Sequence, residues 1–148
     1  MKEMADKGCE YVFMEVSSHA ADQGRVNGVN FVGGVFTNLS QDHFDYHKNF
    51  ENYFEAKKKF FKMLGRRAFA LTNADDKYGG KMLEGIEAHQ FTYGFVGDKE
   101  SAIFHGEIEK VSFKGLKLVF NDIPVKSKLL GKFNAYNLLA VWSACSLL

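Results

Sequence analysis

A three-layer α/β fold, a mostly parallel sheet with helices on both faces plus a small antiparallel meander, is what this sequence predicts. Two patterns carry the prediction. Between residues 11 and 73 three short apolar runs are each followed by polar residues suited to helix caps, and the second and third then by a helical pattern, the arrangement that builds parallel sheets. After Asp98 the texture changes to alternating segments joined by turn residues, as in antiparallel hairpins. Composition agrees with one folded body: 148 residues, 46% hydrophobic and 25% charged, values of an ordinary globular domain rather than a disordered chain.

The first run, YVFMEV over 11–16, reads as a strand buried on both faces, with a helix before it and Glu15 breaking the apolar pattern near its end. The second is FVGGVFTN over 31–38 and the third AFALTN over 68–73. Between the last two lies an amphipathic helix. At about 100° per residue, with Phe50 as zero, Tyr53, Phe54, Phe60, Phe61 and Leu64 all fall within about 80° of that direction. Lys57, at about 340°, lies inside this apolar stripe, whereas Lys58, Lys59 and Lys62 are expected to face water. The four lysines are not equivalent.

The alternating segments are AIFHGEIEKVSF, LKLVF and IPVKSKLL, and a last helix opens in GKFNAYNLLAVWSACSLL with Asn134 as its expected N-cap and an apolar pattern continuing to Leu148. This divides the chain into a parallel α/β part at 1–98, an antiparallel appendage at 99–130 and a final helix at 131–148. Cys9 and Cys145 have no second ligand at metal-finger spacing and are expected as reduced, buried thiols.

Charge excludes some partners. Nineteen Lys plus Arg oppose eighteen Asp plus Glu, so no overall field favours nucleic acid or an anionic membrane surface. No apolar stretch approaches the ~18 residues of a membrane span, and MKEMADKGCE has no signal-peptide core, so the expected location is the cytoplasm.

Three constellations carry chemistry. Glu15-Val16-Ser17-Ser18-His19 follows the first strand, where open α/β sheets place ligands: the carboxylate suits a cation, and the serines suit either substrate binding or helix capping. Asp42-His43-Phe44-Asp45-Tyr46-His47 follows the second strand, and its carboxylates and imidazoles suit metal binding or acid/base work, or a solvated capping cluster. The third is Lys57. An ammonium held in an aromatic stripe is costly, so its pKa falls and a neutral amine becomes available. Such an amine can take up CO2, and the resulting carbamate could share a hard divalent cation with Glu15 and His43. The opposing reading is a snorkelling lysine whose nitrogen reaches water. Asn73, Asp75 and Asp76 after the third strand, with Asn134 and Asn137 at the last helix, suit nucleotide contacts or caps. No G-x-x-x-x-G-K-[ST] occurs: Gly79-Gly80-Lys81 and Gly131-Lys132 lack the first glycine at that spacing.

Taken together, MEVSSHAADQGRV, VFTNLSQDHFDYHKNFENYFEAKKKFF, TNADD and LLGKFNAYNLLA resemble the central, ATP-using domain of the Mur ligases over nearly the whole chain. Within the family they are most similar to the members that add the third amino acid of the peptidoglycan stem peptide. The resemblance implies an ATP-dependent amide ligation in cell-wall synthesis, and through it a part in cell shape and division. A carboxylate of UDP-N-acetylmuramoyl-L-alanyl-D-glutamate is phosphorylated, and the amine of a diamino acid then displaces phosphate from the acyl phosphate. Glu15 and His43 resemble the family's Mg2+ ligands and Lys57 its carbamylated lysine. Ser17, Gln23 and Arg25 resemble contacts to the UDP-muramoyl dipeptide, while Asn134 and Asn137 match a G-x-x-N-x-x-N pattern at ATP. Asp45, His47, Asp75 and Asp76 fit the pattern without an assigned chemical role, and His19 is expected to be architectural. The chain departs from the family's pattern in lacking the P-loop lysine, the threonines after it and the residues choosing between lysine and diaminopimelate, and Lys48 stands where a glycine is common.

The resemblance therefore implies a fragment of a ligase, inactive alone, with an exposed sheet edge suited to pairing with a second copy. Two other readings remain at this point. One is a non-catalytic module acting by protein contact, marked by an unmodified Lys57. The other is a metal-dependent hydrolase using Asp42, His43, Asp45 and His47.

Overall fold

The computed structural model describes residues 2–39, 49–97 and 99–148. Six strands form one sheet in the order β1 to β6: β1 (Gly33–Phe36), β2 (Phe69–Asn73), β3 (His89–Gly94), β4 (Phe104–Ser112), β5 (Gly115–Phe120) and β6 (Ile123–Ser127). β1, β2, β3 and the start of β4 pair in parallel. The meander is joined edgewise to this part through Tyr93↔Phe104 and Gly94↔His105, and continues antiparallel through β5 and β6. Pro124 lies in β6, at the sheet's end, where a missing N–H leaves no central ladder unpaired.

The helices are α1 (Lys2–Asp6), α2 (Ser18–Asp22), α3 (Phe50–Lys62), α4 (Gly79–Leu83) and α5 (Lys132–Ser146). β2 is buried along its whole length and separates two cores. On one face Ala70 and Phe36 pack with Tyr53, Phe54 and Phe61 of α3 and Met82 and Leu83 of α4. On the other, Phe69, Leu71 and Tyr93 pack with Ala135, Leu139, Ala140 and Ala144 of α5 and with Leu116, Leu118 and Phe120 of β5. The expected three layers follow from this alternation of side chains along one strand.

Four expectations are corrected. Residues 11–16 form no strand: the segment has no ladder partner among the described residues, and Tyr11, Val12, Phe13 and Met14 are exposed. An apolar run becomes a strand only where a neighbour pairs with it, and the facing edge of β1 lies across a cavity. Cys9 and Cys145 are free but exposed, because α1 buries none of its residues and Cys145 lies off the buried stripe of α5. Asn134 is not the cap of α5, which starts earlier, after Gly131 at φ 84°, and ends at Ser146 rather than Leu148. Lys58 does not face water. It is 8% exposed, and its Nζ donates to the Lys81 carbonyl at 2.6 Å because α4 covers that edge of the α3 stripe.

Candidate functional site

α3 positions the central side chain of the site. Asn49 caps it, its side chain accepting from the Asn52 N–H at 2.9 Å, and this fixes the phase of the helix. In that phase Tyr53, Phe54 and Phe61 enter the core, and Lys57 points from the same stripe, half-buried, with its Nζ 5.4 Å from the centre of the Tyr53 ring. Lys59 pairs instead with Asp22 of α2, and Lys62 with Glu55. The Lys59–Asp22 pair ties α2 to α3, and with it the segment that carries Glu15 and Ser17.

Between that segment and β1 opens a cavity of about 600 Å³. Its walls are residues 10–18 on one side and 29–38 on the other, with Lys57, Phe60 and Phe61 of α3, Phe69 of β2, and Ala144 and Leu148 closing it. Glu15, Ser17 and Lys57 thus line one space. Burial holds the Lys57 amine below its ordinary value of 10.5, and the Glu15 carboxylate partly offsets this by favouring the ammonium. The half-buried position on the stripe thus disfavours the charged amine, and the Glu15 charge works in the opposite sense.

The donor chemistry fits a hard divalent cation once Lys57 is a carbamate. Glu15 then supplies carboxylate oxygen and position 57 two more oxygens, the donor type that Mg2+ prefers. Without that modification, the described residues contain no group of three or more His, Cys, Asp or Glu able to hold a metal ion. His43, with Asp42, Asp45 and His47, lies outside the described residues.

Of the remaining described candidates, Ser17 lines the cavity and Gln23, Arg25, Asn134 and Asn137 lie elsewhere. Ser17 caps α2, accepting from the Ala20 N–H at 3.2 Å, so the capping role is present alongside its place in the cavity wall. Gln23 and Arg25, just after α2, are exposed and bonded to each other, Arg25 Nε donating to Gln23 Oε1 at 2.9 Å. The guanidinium keeps further donors for an anion. Asn134 and Asn137 sit one turn apart at the start of α5: Asn134 Nδ2 donates to the Leu130 carbonyl at 2.7 Å and Asn137 Nδ2 to Asn134 Oδ1 at 3.4 Å. Neither pair lines the cavity.

The last residue of β2 and those just after it form a brace that residue spacing alone does not reveal. Asn73 Nδ2 donates to the Thr37 carbonyl at 3.0 Å, and Asp76 accepts from the N–H groups of Leu39 at 3.2 Å and Tyr78 at 2.9 Å. The strand ends beside the cavity are thereby fixed to one another. The buried Tyr93 hydroxyl donates to the Phe36 carbonyl, and burial, with Asp76 and Asp75 nearby, pushes its phenol well above the ordinary range.

The family model described as the Mur ligase middle domain matches residues 1–145. The chain is 52% identical over 144 residues to the UDP-N-acetylmuramoyl-L-alanyl-D-glutamate–2,6-diaminopimelate ligase of Parabacteroides distasonis, covering 97% of this chain and 29% of that protein. It is 49% identical over 146 residues to the ligase of the same name from Bacteroides thetaiotaomicron, covering 99% and 30%. A solved structure of a ligase of that name superposes with a TM-score of 0.81 at 30% identity, over 97% of this chain and 31% of the other. The MurF ligase of Thermotoga maritima, solved with ADP, shares the fold at a TM-score of 0.64 and 17% identity, over 88% of this chain and 30% of that one. The chain spans less than a third of the length of these relatives.

Proposed function

The chain belongs to the Mur ligase middle-domain family, and on that premise we propose that it is the central part of an ATP-dependent ligase. The ligase joins 2,6-diaminopimelate to UDP-N-acetylmuramoyl-L-alanyl-D-glutamate in peptidoglycan synthesis, in the cytoplasm. Relatives at 52% and 49% identity bear that activity in their names, which supports diaminopimelate rather than lysine. No helix of the described residues is long and apolar enough to cross a membrane, which agrees with a soluble nucleotide-linked substrate.

The observation that carries the reading is Lys57, a desolvated amine on an aromatic stripe, lining the same cavity as Glu15. Its neutral form attacks CO2. The nitrogen–carbon bond forms, one proton leaves to solvent, and the product is a carbamate anion in place of a cation. With Glu15 and His43 it supplies a ligand set for Mg2+. These residues would hold the ion, which when bound would supply charge neutralisation at the reacting phosphates of an acyl-phosphate ligation. Arg25, with Gln23 and Ser17, binds the UDP-muramoyl dipeptide, the guanidinium fork matching an anionic group. The Asn134 and Asn137 amides serve the nucleotide.

The open edge of β1 supports a further part of the reading. Among the described residues β1 pairs only with β2, and the exposed run 11–14 stands across the cavity from it. Unpaired edges and exposed apolar strands invite pairing, so the isolated 148 residues form a homodimer through this edge.

The test is phosphate release from ATP by the complete protein containing this chain, supplied with Mg2+, UDP-muramoyl dipeptide and diaminopimelate. The wild type turns over, and Lys57→Ala lowers the rate by roughly 10²–10³-fold, the scale of losing a charge-stabilising group. An unchanged rate in Lys57→Ala would contradict the proposal.

A further inference from the structure

Asp75 follows β2 and is bonded to three separate parts of the fold. Its Oδ2 accepts from the Phe95 N–H at 2.7 Å and from the Tyr136 hydroxyl at 2.8 Å, and its Oδ1 accepts from the Val96 N–H at 3.2 Å. The carboxylate thus joins the end of β2, the residues just after β3, and the first turns of α5. Space is kept for it: a Cβ built on Gly94 would stand 2.8 Å from Asp75 Oδ1, so a side chain there would displace the carboxylate. The Tyr136 ring also packs edge-on against Phe95, with centroids 4.8 Å apart.

α5 needs such a tie. Its N-cap is Gly131, which offers no side chain to its first N–H groups. Tyr136 lies between Asn134 and Asn137 on that first stretch, so whatever fixes its hydroxyl fixes the rotation and height of both amides relative to the sheet. A charge-assisted bond is the stronger kind available for this purpose.

We propose that Asp75, acting through the Tyr136 hydroxyl, is a positioning residue that sets the first turns of α5 and thereby presents Asn134 and Asn137 to a nucleotide. The inference rests on the nucleotide reading of those two asparagines and adds what holds them in place. Asp75 and Tyr136 themselves do not touch the nucleotide.

The experiment is a titration of the 148-residue chain with millimolar ADP, followed by NMR of the Asn134 and Asn137 side-chain amides, together with amide hydrogen exchange over 132–137 without ligand. Tyr136→Phe removes one oxygen and keeps the ring packing, so the fold is retained. Asp75→Asn is the companion variant. Wild-type amides shift with ADP. In Tyr136→Phe the affinity falls about tenfold, residues 132–137 exchange faster, and adding Asp75→Asn produces little further loss of affinity, the mark of two residues acting as one unit. Unchanged exchange in Tyr136→Phe overturns the positioning role. Wild-type affinity for ADP in Tyr136→Phe, with faster exchange, reduces the pair to structural support and also overturns it. No shift of either amide in the wild type instead overturns the nucleotide reading on which the inference rests.

Discussion

At position 57 the decisive quantity is desolvation. Three neighbouring lysines find partners at the surface or at a carbonyl: Lys58 at Lys81, Lys59 at Asp22 and Lys62 at Glu55. Lys57 is left with an aromatic ring and a carboxylate that only partly offsets its burial. Its pKa in the folded chain is below 10.5, so the native state binds fewer protons than the unfolded one, and stability rises with pH as the charged amine's cost is relieved. In CO2-free buffer Lys57→Met is therefore expected to be more stable than the wild type at neutral pH, with the gap closing as the pH approaches 10.5. Urea midpoints at several pH values measure this, and a gap that is constant or of opposite sign contradicts it. The stripe angle made Lys57 legible in the sequence. It misplaced Lys58, because a wheel describes one helix and α4, which covers Lys58, lies far along the chain.

Tyr136 gives a second titration with the opposite sign. Burial first, then the bond to Asp75 and its charge, push the Tyr136 phenol up to about 12. A raised folded pKa means that this group's contribution is fully present below its unfolded value of about 10 and is lost as the pH rises through about 12. The destabilisation caused by Tyr136→Phe is thus expected to be constant from pH 7 to 9 and to shrink above 10, as read from denaturant midpoints. A destabilisation still growing above pH 10 would exclude the carboxylate–hydroxyl pairing.

Elements were readable to the extent that their determinants are local. α3 carries its own period and an Asn49 cap, and it forms over Phe50–Lys62 as the pattern implies. Asn49→Ala is expected to cost about 1 kcal/mol through the lost cap, and Phe61→Ala, emptying a site 3% exposed, about 3–5 kcal/mol, both measurable by chemical denaturation. β2 was equally clear, three apolar residues followed by Thr72 and Asn73, buried along its whole length. The segment 11–16 has the same apolar character and yet is no strand, because pairing depends on what stands beside it rather than on its own residues. The start of α5 was displaced for a different reason. Asn134 has the right chemistry for a cap, but Gly131 already turns the chain with a positive φ, and Asn134 is spent on the Leu130 carbonyl inside the first turn.

For the molecule as a whole, β1 and β6 are the two edges of the sheet among the described residues, and at β1 a cavity of about 600 Å³ separates the edge from an exposed apolar run. Sedimentation of the 148 residues is expected to give a dimer at high concentration, and Val35→Lys on β1, half exposed at this edge, to shift it toward monomer; a stable wild-type monomer would refute the edge pairing. The same 148 residues should release no phosphate from ATP above background, because no sequence in them forms a P-loop around the β and γ phosphates. Family membership was the most accessible part of the reading, since its motifs are short and ordered. The Asp75–Tyr136 tie was not, because 61 residues separate its partners.

The most direct measurement is carbon-13 NMR of the chain in buffer supplied with labelled bicarbonate and Mg2+. A protein-bound carbamate signal is predicted in the wild type, absent from Lys57→Gln and weakened in Glu15→Gln. A wild-type spectrum indistinguishable from that of Lys57→Gln would contradict the account.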